Sequence, residues 1–179
     1  DLGMMRAVPQ SVVLWPSDGI STYKLVEQMA GYDDGISYMK STRTDVPLLY
    51  KPEETFPLGG CKVLRSSGKD AACLVAAGIT VHEALEAHRR LLEQGVSVAV
   101  VDLYSIKPLD ATTLTKVAAS AGNRIITVED HYPEGGLGEA VASALCNSGI
   151  KIQSLAVRQL SRSGEPEELM AAAGIDAAS

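Results

Sequence analysis

Ala71-Ala72-Cys73-Leu74-Val75-Ala76-Ala77-Gly78-Ile79-Thr80-Val81-His82-Glu83 is the stretch on which the fold turns. Its first seven residues are apolar with no polar alternation, which predicts a strand buried on both faces, as in parallel sheets. Gly78 breaks the run, and Thr80-x-x-Glu83 has the spacing of a capping box that opens a helix. Over Val81–Glu93 the residues Val81, Ala84, Leu85, Leu91 and Leu92 form one apolar stripe, and Gly95 closes the helix. Downstream the alternation repeats. A strand is expected over Val96–Asp102, a helix over Leu109–Ala121 introduced by Pro108 and Asp110, and a strand over Arg124–Val128. A helix over Glu139–Cys146, a last strand over Ile152–Val157 and a terminal helix over Pro166–Ala173 follow. Strands alternating with helices predict right-handed crossovers onto one sheet. The expected fold class is α/β, a three-layer α/β/α arrangement with a mostly parallel sheet, beginning at Cys61–Leu64.

Upstream stands a smaller unit. Ser11–Trp15 is a β-branched run ending at Pro16, and Ser17-Asp18-Gly19 supplies N-cap chemistry for a helix over Ile20–Ala30. Leu25, Val26, Met29 and Ala30 are its expected buried face. Ile36–Met39 reads as another strand, and the aperiodic segment that follows leads into a linker at residues 51–60. Residues 1–50 are thus expected to be a partial second α/β domain, and residues from 61 onward to fold by themselves. The chain starts on a helix-like stretch, Asp1–Val8, without an initiating Met, and is expected to be part of something longer.

The 179 residues are 46% hydrophobic, only 4% aromatic, and carry a net charge of −6. That balance provides no broad positive field to hold a phosphate backbone, so nucleic-acid binding is not expected. No apolar run approaches the roughly 20 residues of a membrane span, and no signal-peptide pattern is present, so a cytoplasmic, membrane-free protein is expected. Cys61, Cys73 and Cys146 are far apart and read as reduced residues with no CxxC spacing.

The residues that carry chemistry each have a structural alternative. Glu129-Asp130-His131 follows a strand at the sheet's carboxyl end, where open α/β folds place functional loops. His131 beside two carboxylates is either a general base with a raised pKa or part of a hydrogen-bonded turn that docks another domain. Gly135-Gly136-Leu137-Gly138 opens a helix; it is either an anion loop or the backbone freedom of a tight strand-to-helix turn, and the turn is the better account. Lys40 and Arg43 follow a strand and are either a cationic pair for a phosphate monoester or surface charges. His82 and His88 are six residues apart, outside the zinc-helix spacing, and are expected to be solvated. Ser17-Asp18-Gly19 has a superficial likeness to the start of a magnesium-diphosphate site, but no Asn pair follows at the required distance, so it is not read as a metal motif.

Several segments together resemble the transketolase family. They are Trp15-Pro16-Ser17-Asp18-Gly19, Lys40-Ser41-Thr42-Arg43, Tyr104-Ser105-Ile106-Lys107-Pro108-Leu109-Asp110, the long run Val128 to Val141 (VEDHYPEGGLGEAV), and Arg162-Ser163-Gly164-Glu165-Pro166. The resemblance spans nearly the whole chain in the family's order. Deoxyxylulose-phosphate synthases and 2-oxoacid dehydrogenase β-subunits share the architecture but fit the wording less well. A non-catalytic assembly or ligand-sensing module is the alternative from another class.

The resemblance implies that residues 1–50 are the end of a pyrimidine-binding domain and residues 61–179 a C-terminal domain. It implies transfer of a two-carbon ketol unit between sugar phosphates, dependent on thiamine diphosphate and magnesium or calcium. It further implies a homodimer, with the cofactor sites supplied by an N-terminal portion or subunit and no cofactor bound by this chain alone. Arg43 matches the family's substrate-phosphate arginine. Lys40 and His131 are secondary candidates.

Overall fold

A computed structural model describes all 179 residues. Its main sheet has five strands: β3 (Lys62–Arg65), β4 (Cys73–Ala76), β5 (Ala99–Asp102), β7 (Arg124–Glu129) and β8 (Lys151–Ala156), in the order β3-β5-β4-β7-β8. Four of these are mutually parallel, and β3 runs antiparallel on β5. The apolar run that predicted a doubly buried strand is β4, the central strand, all four residues of which are buried. Its alternate side chains enter different layers. Cys73 and Val75 meet α4 (Ala111–Ala119) and α5 (Leu137–Ala144) through Leu114, Val117, Leu137 and Val141. Leu74 and Ala76 meet α3 (Thr80–Glu93) and α6 (Pro166–Ala173) through Val81, Ala84 and Met170. The expected three-layer α/β/α class is therefore what the chain adopts.

The N-terminal residues form α1 (Leu2–Ala7), β1 (Val12–Leu14), α2 (Gly19–Ala30) and β2 (Ser37–Met39). Their sheet has a third strand that the sequence reading missed, β6 (Ser105–Lys107), giving the order β2-β1-β6. Strand β6 runs antiparallel to β1, so the larger unit lends a strand to the smaller one. Three residues with a following proline carry too little pattern to be read as a strand, and only pairing with β1 satisfies their backbone. Val13 and Trp15 of the β1 segment continue the main core, while Val12 and Leu14 pack with Leu25, Tyr50, Phe56 and Tyr104 on the other face. Residues 51–60 contribute Phe56, 2% exposed, whose ring lies edge-on to Tyr50 and Tyr104.

Three local expectations change. The capping box at Thr80 does not form, because α3 begins after Ile79 with no side-chain cap. The Thr80 hydroxyl turns inward between the Ala77 and Val128 carbonyls, and Glu83 accepts from the Ala177 N–H instead. On α2, Leu25 is buried, but Val26 and Ala30 are exposed, since the small sheet covers less than half of the helix. His82 and His88 are not free in solvent: each is partly buried with a ring nitrogen on a carbonyl, Ser17 at 2.8 Å and Val98 at 2.7 Å.

Candidate functional site

The carboxyl ends of β4, β5 and β7 open onto the smaller unit, and this seam holds several buried polar groups, among them Ser17, Asp18, Asp102 and Glu129. Asp102 ends β5 and is fully buried. Its Oδ2 accepts from the Ser17 hydroxyl at 2.5 Å and the Tyr50 hydroxyl at 2.7 Å, while Oδ1 has no partner. Burial pushes the carboxyl up to about 7, against the two hydrogen bonds, which pull it down. The Trp15 ring fills the neighbouring space above Gly78, where a Cβ would stand 2.1 Å from the indole nitrogen. In an open α/β sheet this crevice is the usual place for a ligand. Here the chain's own Trp15 and Ser17 occupy it.

Glu129 closes β7 in the same manner. Its Oε2 accepts the Leu137 N–H at 2.6 Å and its Oε1 the Gly138 N–H at 2.9 Å, so the anion at the start of α5 is a buried side chain of the protein itself. Desolvation holds this carboxyl up at about 7. Both glycines make room for it: a Cβ on Gly136 would lie 2.1 Å from Oε2 and one on Gly138 3.1 Å from Oε1. The glycine run is thus a tight turn around Glu129. His131 joins the turn with Nδ1 on the Tyr132 carbonyl at 2.7 Å and Nε2 3.4 Å from the Asp1 carboxylate. Burial lowers its pKa, the opposite of the shift a flanking carboxylate pair suggested. His131 thus links this turn to the first residue of the chain.

Lys40 and Arg43 part company. Lys40 is partly buried in the seam, its Nζ donating to the Asp130 carbonyl and lying 4.1 Å from the centroid of the Trp15 ring. Arg43 is exposed on the loop after β2 and has no ion-pair partner in the chain. Its neighbours Thr42 and Thr44 line an open cleft of about 280 Å³ together with Asp18, Thr22, Ser41 and Asp45, and Arg43 itself stands outside that lining. A guanidinium with nothing on this chain to hold is suited to a bidentate oxyanion.

Asp18, which sequence spacing removed from the metal candidates, has a structural duty. Oδ1 caps α2 through the Ser21 N–H at 2.7 Å, and Oδ2 accepts the N–H groups of Leu49 and Tyr50 at 2.8 and 3.1 Å. The sequence reading did not single out Asp102 or Tyr50. The signal available for Asp102 was an acid ending a doubly buried strand.

The residues present do not fit a magnesium-diphosphate. The helix starts of α2 and α5, where free N–H groups would receive phosphate oxygens, are filled by Asp18 and Glu129. No three His, Cys, Asp or Glu side chains converge in a way that could hold an ion. No helix is long and apolar enough to cross a membrane.

The family model described as transketolase, C-terminal domain, matches residues 59–179. Transketolase-like protein 1 of Bos taurus is 46% identical over 176 residues, covering 98% of this chain and 29% of that protein. Human transketolase is 43% identical over 177 residues, covering 98% of this chain and 28% of that protein. The chain therefore spans less than a third of the curated relatives it matches. Among solved structures, a split-gene transketolase in an inactive beta4 tetramer superposes with a TM-score of 0.90 at 34% identity, over 99% of this chain and 56% of that one. The transketolase of Campylobacter jejuni superposes with a TM-score of 0.75 at 21% identity, over 99% of this chain and 26% of that one, and shares the fold. By the family match over the five-stranded unit, and by relatives that align from end to end of these 179 residues, the chain belongs to the transketolase family, of which it carries the C-terminal domain.

Proposed function

We propose that these 179 residues are the C-terminal portion of a transketolase acting in the transfer of a two-carbon ketol unit from a ketose phosphate to an aldose phosphate. Residues 1–50 are the end of the pyrimidine-binding domain, 51–60 the connection and 61–179 the C-terminal domain. Thiamine diphosphate and its magnesium or calcium ion are held by an N-terminal portion, in the same polypeptide or in a partner subunit. The complete enzyme is a homodimer of such assemblies, and this chain alone does not transfer ketol groups. Its contribution is to bind the substrate phosphate through Arg43, and to bury the seam that holds the Arg43 loop in place.

The observation that carries the phosphate role is the contrast between the two cations. Lys40 is spent on Trp15 and Asp130, whereas Arg43 stands exposed and unpaired beside an open cleft. A charge-assisted, bidentate contact contributes about 2–3 kcal/mol, which corresponds to about 30–150-fold in affinity. In the assembled enzyme, Arg43→Ala is expected to raise KM for phosphorylated ketose donors by that factor and to leave an unphosphorylated ketol donor unaffected. Equal losses on both donors would remove Arg43 from the phosphate.

A further inference from the structure

Arg43 lies on a loop, residues 41–48, that is held almost entirely from its ends. Within it the only hydrogen bond is from the Thr44 N–H to the Thr42 hydroxyl at 3.3 Å. At its start, the Lys40 N–H donates to the Leu14 carbonyl at 2.9 Å, while the Lys40 side chain crosses the seam to Trp15 and the Asp130 carbonyl. At its end, the N–H groups of Leu49 and Tyr50 are held by Asp18, and the Tyr50 hydroxyl reaches Asp102. Both clamps thus cross to the five-stranded unit. Both anchor points of the Lys40 side chain adjoin fixed groups: Glu129, the residue before Asp130, is pinned to the start of α5, and the Trp15 ring is confined by Gly78.

We propose that Lys40 is a positioning residue for substrate-phosphate binding: by tying the start of the 41–48 loop to the Asp130 carbonyl and the Trp15 ring, it lets the C-terminal domain set where the Arg43 guanidinium stands. The proposal rests on Arg43 being the phosphate ligand. It gives the C-terminal domain a defined effect on substrate affinity. Lys40 does not share the phosphate. Its ammonium group lies over an aromatic face and donates inward to a carbonyl, and both contacts favour the cation where it is. An arginine can keep both contacts, since a guanidinium stacks on an indole and donates to a carbonyl. A methionine fills similar space and keeps neither.

The test compares Lys40→Met, Lys40→Arg and Arg43→Ala in the assembled enzyme, with a phosphorylated ketose and an unphosphorylated ketol donor. A loosened loop forfeits part of the Arg43 contact, on the order of tenfold out of its whole of about 30–150-fold. Lys40→Met is therefore expected to raise KM about tenfold for the phosphorylated donor with kcat retained, and to leave the unphosphorylated donor within about twofold. Lys40→Arg is expected to restore the phosphorylated donor's KM. Losses of equal size on both donors, no change on either, or failure of Lys40→Arg to rescue would each overturn the proposal. If Arg43→Ala discriminates between the donors and Lys40→Met does not, the positioning role fails while the phosphate role stands. If Arg43→Ala does not discriminate, the phosphate role itself fails. A second readout needs only the 179-residue chain: trypsin cleavage of the Arg43–Thr44 bond, followed by mass, should accelerate several-fold in Lys40→Met and not in Lys40→Arg. An unchanged cleavage rate would show that Lys40 does not hold the loop.

Discussion

Replacing Gly78 by Ala tests the seam where the two units meet. Gly78 has a φ of +61°, in the left-handed region, and an added Cβ would lie 2.1 Å from the Trp15 indole nitrogen and 2.7 Å from Cδ1. The ring cannot retreat cheaply, because Trp15 is 1% exposed and its backbone N–H is bonded to the Tyr104 carbonyl at 2.8 Å. The left-handed backbone costs an alanine about 1 kcal/mol, and forcing a methyl into a filled core adds about 1–3 kcal/mol. A loss of about 3 kcal/mol, at a urea dependence of about 2 kcal/mol per molar, moves the unfolding midpoint down by about 1.5 M. Gly68→Ala is the control: its φ is +76° but nothing lies within 4 Å of the added Cβ, so only the backbone part applies and the midpoint should fall by about 0.5 M. Trp15 is the only tryptophan of the chain, so emission in urea reports on the seam directly, and Gly78→Ala should also shift the native emission to the red. Equal midpoints for the two variants would refute the close approach of Trp15 and Gly78, and with it the packed seam.

Asp102, raised from 3.8 to about 7, binds a proton more readily in the folded state than in the unfolded one. Stability is therefore fully present below about pH 4 for this group and is lost as pH rises to about 7, with the same sign from Glu129. Urea midpoints should fall between pH 5 and pH 8, and Asp102→Asn should flatten that fall by about 1–3 kcal/mol; a variant with an unchanged slope would exclude Asp102 as the titrating group. Calorimetric titration of the 179-residue chain with thiamine diphosphate and magnesium is expected to give no heat of binding. Stoichiometric binding would show a cofactor site on these residues and overturn the assignment of that site to an N-terminal portion.

The pattern of β4 was legible because burial on both faces leaves no polar residue in Ala71–Ala77, and the helix-forming stripe of Val81–Glu93 was legible because one face must stay apolar. Asp110 capping α4 was legible for a related reason: an N-cap satisfies donors two or three residues away, a local matter. The capping box at Thr80 misled, because the same hydroxyl had a better use 48 residues downstream at the Val128 carbonyl. Val26 misled because helical periodicity places a residue on a face without saying how much of that face a three-stranded sheet covers.

By itself, then, the sequence determined the α/β class, the order of strands and helices apart from β6, and the family resemblance carried by Val128–Val141 and its companions. These depend on periodicity and short-range spacing, and neighbours along the chain carry both. Only the tertiary structure decided that β6 leaves its own unit to pair with β1, and that Glu129 is the anion at the start of α5. It also decided that Lys40 turns inward while Arg43 stays free. Apart from the exposed, unpaired Arg43, each of these is a choice of partner for a backbone or charged group that burial forbids from remaining alone. The partner lies up to 130 residues away, as with the Arg6 guanidinium on the Gly136 carbonyl.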